Sequence, residues 1–157
     1  MAWHHRLAGR AARLVWFVTR PRTFGVRAVV TDAAGRVALV HHTYLRGWYL
    51  PGGGVKKGEG AAAALARELA EEIAIAEFRI DRVLGVYHAR REYKDDHVVV
   101  YVVSVPEDAE GSMRRADALE IAEARWFAID DLPEDISPAT RRRLDEYRAG
   151  AVGGGTW

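Results

Sequence analysis

Three glutamates near the middle of the chain have the spacing of a carboxylate ridge on a helix. Glu68, Glu71 and Glu72 stand at i, i+3 and i+4, so helical geometry makes their side chains neighbours. Like charges at this spacing repel each other, and a bound cation would offset that repulsion. Cysteine is absent, so a metal must be held by oxygen or imidazole, and oxygen ligands favour Mg²⁺, Mn²⁺ or Ca²⁺. Taken alone, the three acids are more typical of a solvated helix face than of a metal site.

A longer pattern at fixed spacing changes this interpretation. Gly53 is followed after five residues by Glu59, and Glu59 after seven residues by Arg67, which directly precedes Glu68. The rest of the pattern consists of the lead-in Trp48-Tyr49-Leu50-Pro51-Gly52, the pair Glu71-Glu72 and the end Ala74-Ile75. This arrangement resembles the Nudix box nearly position for position, and a match of this length is a specific signal.

The resemblance has one clear departure near the end of the box. The family has a glycine where this chain has Ala74. A glycine there helps the chain leave the helix in a left-handed conformation, which costs an alanine about 1 kcal/mol. We therefore expect an effect on the helix terminus rather than on activity. Lys56 and Lys57 also stand where many relatives have an acidic residue, which would alter the charge near the site.

The resemblance implies a fold, an activity and a cofactor. The expected fold is α/β, a Nudix-like α/β/α sandwich with a mixed β-sheet between helices. The expected enzyme is a pyrophosphohydrolase that cleaves a nucleoside diphosphate linked to another group and uses Mg²⁺ or Mn²⁺. The alternative is a catalytically silent Nudix domain that senses nucleotides or binds proteins. The charged residues of the box favour the enzyme, since all of them are present: Glu59, Arg67, Glu68, Glu71 and Glu72.

The resemblance also assigns roles to individual residues. Glu68 and Glu72 are the expected main metal ligands, Glu71 assists them, and the backbone carbonyl of Gly53 is a further ligand. Glu59 is expected to support the loop and the acids structurally. The predicted catalytic residues are Glu72, Glu71, Glu120 and Arg67, the last by holding the acids in place.

The resemblance also implies a further acid from outside the box, because some branches of the family have a glutamate that binds metal or acts as the base at a place similar to the segment before Trp126. Glu120 is the first candidate for an additional metal ligand or general base, and Glu123 is the second. The alternative is that both are surface acids, with Glu123 paired to Arg125 or another basic residue. The residue spacing leaves these alternatives open.

A charged segment between two predicted strands is the candidate substrate-binding region. Arg90, Arg91 and Lys94 could engage terminal phosphates, because guanidinium groups form forked hydrogen bonds with phosphate oxygens. Tyr93 and His97 complete the candidate set. The alternative is an ordinary solvated hairpin, with His97 in a structural role.

The sequence says less about the substrate itself. A tyrosine some distance past the box is found in branches of the family that act on dinucleoside polyphosphates, and Tyr93 is in that region. Nucleoside triphosphates or dinucleoside polyphosphates are therefore favoured, while ADP-ribose and nucleotide sugars stay open. Aromatic side chains that could stack on a base, although most are expected in the core, are Tyr44, Trp48, Tyr87, Tyr93 and Tyr101.

The elements that must position these residues follow from periodicity and turn signals. Leu65, Leu69 and Ile73 recur every four residues and predict the core-facing stripe of a helix over 59–74. Ser137 and Pro138 predict the start of a second helix over 138–148. Strands are predicted at 24–31, 36–41, 48–50, 78–87, 97–105 and 123–129, and a polar loop at 106–117.

Length and composition are those of one globular domain. The chain has 157 residues and a formal net charge of +1, so there is no strong nucleic-acid signal. Residues 1–22 are expected to form a basic amphipathic helix, residues 23–149 the Nudix hydrolase domain and residues 150–157 a flexible tail. Contact of the first helix with a membrane is less favoured than packing on the domain. A cytoplasmic location is expected, and a homodimer stays open.

Overall fold

The protein is represented by a computed structural model that describes residues 22–91 and 94–157. At residues 90, 91 and 94 the description covers the backbone only. The predicted amphipathic helix therefore lies outside the described residues, apart from Arg22, and so does Tyr93.

Seven strands and three helices are present in the described ranges. The strands are β1 (Arg22–Thr31), β2 (Val37–His42), β3 (Trp48–Tyr49), β4 (Arg79–Arg91), β5 (Lys94–Ser104), β6 (Ile121–Phe127) and β7 (Gly153–Thr156). The helices are α1 (Ala61–Ile73), α2 (Glu107–Glu110) and α3 (Pro138–Arg148). None of these helices has both the length and the apolar character needed to cross a membrane.

The strands form one mixed sheet. Its order is β3-β2-β1-β5-β4-β7, and β6 pairs with β2 beside this path. The β1–β5 and β4–β7 pairs are parallel, while the pairs β1–β2, β2–β3, β2–β6 and β4–β5 are antiparallel. This sheet brings the middle of β1 to the centre of the molecule, beside the glycine-rich loop of residues 51–54.

Each face of the sheet has its own apolar core. On one face α1 packs through Leu65, Leu69 and Ile73, as its four-residue periodicity predicts. On the other face α3 contributes Leu144 to a second cluster of buried residues. The sequence of β1 alternates between these clusters, with Val26 in the first and Val29 in the second. The predicted α/β/α sandwich is therefore confirmed.

Helix α1 ends at the position where the family has a glycine. Ala74 adopts a left-handed conformation with φ 59° and ψ 25°, and its N–H donates to the Leu69 carbonyl. It is the one non-glycine residue with positive φ in the part of the chain that the structure describes. The helix thus ends as it would with glycine, and the alanine carries the conformational cost.

The carboxyl-terminal segment differs from the predicted flexible tail. Residues 153–156 form β7, which pairs with β4, and the Trp157 N–H donates to the His88 carbonyl at 2.9 Å. A glycine run has no side-chain alternation, so the sequence pattern does not indicate a strand. The two strands approach so closely that a Cβ atom at Gly154 would lie 2.3 Å from the Val86 carbonyl oxygen. Glycine at this position makes the approach possible. Residues 107–110, predicted as loop, form the short α2.

Candidate active site

The glycine-rich loop lies beside β1 and bonds to it through alternate residues. The three bonds are Ala28 N–H to Pro51 O at 3.0 Å, Val26 N–H to Gly53 O at 2.9 Å, and Val55 N–H to Phe24 O at 2.9 Å. The polar groups of the residues between them are taken by side chains instead. Gly52 donates to Glu72, and the carbonyl of Gly54 accepts from Arg67.

Arg67 holds the loop and the acids of α1 together. Its guanidinium makes five hydrogen bonds: to Glu59 at 2.9 and 3.0 Å, to Glu68 at 2.7 Å, to Glu71 at 3.1 Å and to the Gly54 carbonyl at 2.9 Å. The bonds from Arg67 are the main reason that the pKa of Glu59 is lowered to about 2. Bonding to Glu59 and Glu68 in turn raises the pKa of Arg67. This residue thus links four groups that the sequence pattern only places in order.

Glu72 is the buried acid of the ridge. It is 4% exposed, and its carboxylate accepts a 2.8 Å hydrogen bond from the Gly52 N–H. Burial raises the pKa of Glu72 to about 7, while the charge of Arg27 and the Gly52 bond act in the opposite direction. The burial of Glu72 therefore leaves a carboxylate whose charge needs more compensation than the protein supplies.

The other two acids differ in their surroundings. The carboxyl group of Glu68 packs against Gly53, where an added Cβ atom would lie 2.5–2.6 Å from the carboxyl atoms. The side chain of Glu71 is 55% exposed and is held by Arg67. The glycine at position 53 is therefore needed for the approach of Glu68.

Gly53, whose carbonyl is the predicted backbone ligand, and its neighbour Gly52 have different partners. The Gly53 carbonyl accepts from the Val26 N–H in β1, whereas the Gly52 carbonyl accepts from the guanidinium of Arg27. Gly52 has φ +132°, and a Cβ atom there would lie 2.2 Å from the Val26 carbonyl oxygen. The N–H of Gly52 thus faces the buried acid Glu72, and its carbonyl faces the positive charge of Arg27.

Arg27 was missed by the sequence analysis. It is a half-buried residue of β1 whose side chain donates to the carbonyls of Leu50, at 3.3 Å, and Gly52. A signal was present, because a charged residue interrupts the apolar run from Val26 to Val30. Such a residue inside a central strand requires a polar partner, and here the glycine-rich loop provides it.

The two acids proposed outside the box have different partners. Glu120 precedes β6, accepts from the Thr43 N–H through its carbonyl at 2.9 Å, and its negative charge contributes to raising the pKa of Glu72. Glu123 instead pairs with Arg125, whose Nε lies 2.9 Å from the carboxylate. The structure therefore brings Glu120 towards the acids of α1 and gives Glu123 the surface pairing that was the alternative.

The predicted substrate-binding residues are not all brought to the loop. His97 stacks on Phe24 with ring centroids 5.9 Å apart and lines a separate surface pocket with Asp95. Its neighbours in β5, Asp96 and Val98, line the cleft beside the loop instead, as strand alternation requires. The backbones of Arg90, Arg91 and Lys94 lie at the paired ends of β4 and β5, and Tyr93 is outside the described residues.

The donor set suits a hard divalent cation. Two carboxylates, Glu68 and Glu72, lie beside the loop with the Gly52 carbonyl, and all of these donors are oxygen. Within residues 22–91 and 94–157, no three acidic or histidine side chains are close enough together to hold an ion as they stand. The Arg27 guanidinium bonds to the Gly52 carbonyl, and its positive charge opposes the rise in the pKa of Glu72. Oxygen donors around a buried carboxylate fit Mg²⁺ or Mn²⁺.

Two clefts adjoin this site and share three residues. Their volumes are about 370 and 390 Å³, and both are lined by Arg27, Ala89 and Trp157. The second cleft is also lined by His42, which is 4% exposed and whose pKa burial lowers to about 4. Of the aromatic residues considered for base stacking, Trp48 and Tyr87 belong to the core, Tyr101 is half-buried and Tyr44 is exposed.

Comparison with known proteins agrees with this fold. A MutT Nudix hydrolase from Burkholderia pseudomallei has a similar structure, with a TM-score of 0.67 and 26% identity over 80% of this chain and 98% of that one. The MutT protein from Methanosarcina mazei Go1 has a TM-score of 0.69 and 21% identity, over 83% of this chain and 96% of that one. A Bacillus subtilis (strain 168) protein described as "Putative 8-oxo-dGTP diphosphatase" is 27% identical over 82% of each chain.

A family model settles the classification. The model of the NUDIX domain matches residues 21–147, which include β1 to β6 and nearly all of α3. The resemblance at residues 53–75 thus extends over most of the chain, and the prediction of a pyrophosphohydrolase is confirmed. The chain belongs to the Nudix family of hydrolases.

Proposed function

We propose that this Nudix hydrolase cleaves the pyrophosphate linkage of a nucleoside triphosphate in a reaction that depends on Mg²⁺ or Mn²⁺. The observation that carries the proposal is the buried Glu72 carboxylate, held by the Gly52 N–H at 2.8 Å beside Glu68. Burial penalises the negative charge of Glu72, so a cation bound next to it would be favourable. The description of the Bacillus subtilis relative as an 8-oxo-dGTP diphosphatase favours a triphosphate among the nucleotide substrates.

The metal would be held by the carboxylates of Glu68 and Glu72 and the carbonyl of Gly52. Glu71 and Glu120 are further acids near this set, and Glu120 is the candidate for a proton acceptor. When bound, such a metal neutralises phosphate charge and lowers the pKa of coordinated water. The protein's own contribution is to hold these oxygen atoms in place before the substrate arrives.

Two arginines have separate tasks in this proposal. Arg67 bonds to Glu59, Glu68 and Glu71 and thereby orients the acids without contacting the substrate. Arg27 lies between the two clefts and would exchange its backbone partners for phosphate oxygens, because guanidinium binds phosphate through forked hydrogen bonds. The exchange would also release the Gly52 carbonyl towards the metal.

The proposal is tested with a substrate panel and a matched pair of variants. Purified protein is assayed with nucleoside triphosphates, dinucleoside polyphosphates, ADP-ribose and nucleotide sugars, with Mg²⁺, Mn²⁺ or a chelator. We expect triphosphate hydrolysis that the chelator abolishes. Glu72→Gln should lower kcat by at least about a hundredfold, in the range that essential charged groups contribute. Glu107→Gln, an exposed acid in α2, is the control and should keep full activity.

Two outcomes would contradict the proposal. Equal activity of wild type and Glu72→Gln would show that the acids of α1 do not support the reaction. Binding of a nucleotide without turnover of any panel member would instead favour the alternative of a nucleotide-sensing domain. Mass analysis of the products formed in ¹⁸O water would show which phosphorus is attacked.

A further inference from the structure

The carboxyl-terminal segment lies beyond the part of the chain that matches the family. The NUDIX domain model ends at residue 147, whereas Trp157 follows β7 and lines both clefts beside the active site. We propose that Trp157 packs its indole ring against the base of the substrate and that β7 is the element that holds it there. This proposal rests on the nucleotide substrate proposed above.

Several backbone contacts fix the position of Trp157. Strand β7 pairs with β4 through four residue pairs, from Gly85↔Gly153 to His88↔Thr156. The Trp157 N–H then donates to the His88 carbonyl at 2.9 Å. The guanidinium of Arg143, a buried residue of α3, donates to the Thr156 carbonyl at 3.0 Å. The backbone before the ring is thus held by β4 on one side and by a buried side chain on the other. A side chain placed in this way loses little conformational freedom when a ligand binds.

The indole ring is supported by the protein while part of it stays accessible. The ring of Tyr87 lies 6.2 Å from it at an angle of 59°, and the Cζ atom of Arg143 lies 5.8 Å from its centroid. Trp157 as a whole is half-buried, and it contributes to the lining of both clefts. A half-buried aromatic ring on a cleft wall is a suitable surface for a second ring system.

The second cleft has the chemistry of a base-binding site. At about 390 Å³ it falls within the size range of small-molecule sites, and its walls include the apolar parts of Leu45 and Tyr49. The Nδ1 atom of His42 is buried and has no hydrogen-bond partner among the described atoms. A nucleobase offers an aromatic face, which would match the half-buried indole of Trp157. Arg27, shared with the cleft beside Gly53, lies between the base and the metal-binding acids.

The test compares ligands with and without a base. Trp157→Leu keeps apolar volume but removes the aromatic face, Trp157→Phe keeps an aromatic ring, and Val152→Ala changes an exposed residue of the same segment. Binding of a purine nucleoside monophosphate and of inorganic pyrophosphate, each with Mg²⁺, is measured by calorimetry. Trp157→Leu should weaken the nucleotide about tenfold, since stacking of a base on an aromatic side chain contributes about 1–3 kcal/mol. Pyrophosphate binding should not change, and Val152→Ala should behave as wild type.

Spectroscopy and kinetics separate stacking from a structural role. The fluorescence lost on replacing Trp157 by Phe should be the part that the nucleotide quenches in the wild type. Trp157→Phe should raise KM severalfold at most, whereas Trp157→Leu should raise KM with little change in kcat. Equal weakening of nucleotide and pyrophosphate, or unchanged nucleotide binding in a folded Trp157→Leu protein, would overturn this inference. Wild-type protein that neither binds nor hydrolyses nucleotides would instead overturn the proposed function.

Discussion

Gly52 lies between two regions whose polar side chains have different kinds of hydrogen-bond partner. The acid region consists of Glu59, Arg67, Glu68, Glu71 and Glu72, and the cleft region consists of Arg27, His42 and Trp157. In the acid region Glu59, Glu68 and Glu71 all bond to Arg67, which makes five bonds, while Glu72 accepts from the Gly52 N–H. In the cleft region Arg27 bonds to backbone carbonyls, and His42 has a buried ring nitrogen without a partner among the described atoms.

This difference indicates a division of tasks. Groups that satisfy each other hold their geometry whether or not substrate is present, which suits residues that place a metal. Groups with weak or missing partners gain most from a ligand, which suits residues that select a substrate. Changes in the acid region should therefore alter the rate with every substrate, while changes in the cleft region should alter affinity and the pH dependence of stability.

The largest expected effect is at Gly52, where the two regions meet. Gly52→Ala should lower the free energy of unfolding by about 3 kcal/mol, because the new Cβ combines positive φ with a severe clash. That Cβ would lie 2.2 Å from the Val26 carbonyl oxygen and 2.9 Å from the Cα atom of Arg27, both of them backbone. Urea unfolding measures the change.

Gly53→Ala is the matched comparison for this prediction. Its Cβ would meet the carboxyl end of the Glu68 side chain, which can rotate away. We therefore expect a much smaller loss of stability, together with a loss of activity as Glu68 is displaced. Equal destabilisation by both substitutions would show that the contact at Gly52 is less restrictive than its geometry indicates.

A slightly smaller effect is expected from His42 in the cleft region. Its pKa is lowered from 6.5 to about 4, mainly by burial and then by the charge of Arg27. The unfolded chain binds the proton more readily, so the stability from neutral His42 is complete above pH 6.5 and is lost as pH falls towards 4. The loss reaches about 2.5 kcal/mol at pH 4.5.

The effect of His42 must be isolated from that of Glu72. The raised pKa of Glu72, about 7, acts with the opposite sign, since its stabilising effect is present below pH 4.5 and is lost as pH rises towards 7. The free energy of unfolding is therefore compared between wild type and His42→Gln from pH 7.5 to 4.5, with a chelator present. The difference between the two proteins should shrink as pH falls. A constant difference would contradict the shifted pKa of His42.

Arg67 tests whether the acid region acts through its geometry. Arg67→Lys keeps the charge, but an ammonium group cannot bond to Glu59, Glu68 and Gly54 together in the planar arrangement of a guanidinium. We expect kcat/KM to fall by about 10- to 100-fold, the usual cost of removing a group that orients metal ligands. The concentration of Mg²⁺ for half-maximal activity should rise.

Arg79→Lys is the control, because Arg79 forms an exposed ion pair with Asp81 in β4. It should leave kcat/KM unchanged. A similar loss in both variants, or a loss in Arg67→Lys without any change in the Mg²⁺ requirement, would show that Arg67 does not act by orienting the metal-binding acids.

The acid region could be predicted because its partners are close together in the sequence. Arg67 precedes Glu68 and Glu71 on one helix, and Glu59 lies only eight residues before it, just ahead of the helix, so the groups that meet belong to one short segment. The helix over 138–148 was likewise predicted with the same bounds, since Ser137 caps it through a bond from Thr140. Local signals of this kind survive in a single sequence.

The cleft region could not be predicted in the same way. Arg27, His42 and Trp157 come from β1, β2 and the end of the chain, and only the sheet brings them together. The sequence also does not show which glycine of the loop bonds to β1, so it cannot distinguish the surroundings of the Gly52 and Gly53 carbonyls. Strand β7 was missed because three glycines have no side chains to alternate.

The smallest expected effect is at the end of α1, within the predicted box but away from its acids. Ala74→Gly should raise the free energy of unfolding by about 0.5–1 kcal/mol. Glycine removes the left-handed penalty of about 1–2 kcal/mol, and the greater freedom of the unfolded chain offsets part of that gain. Ala74 lies at φ 59°, and its side chain bears no polar group, so kcat and KM should not change. Urea unfolding and the hydrolysis assay together check both statements.

Ala70→Gly in the same helix is the matched control with the opposite sign. Ala70 is an exposed interior position of α1, where glycine costs about 1 kcal/mol relative to alanine. The same substitution should therefore stabilise the protein at position 74 and destabilise it at position 70, because backbone conformation decides the sign. If Ala74→Gly destabilised the protein as Ala70→Gly does, the left-handed end of α1 would be wrong. The helix would then continue past Ile73 instead of ending there.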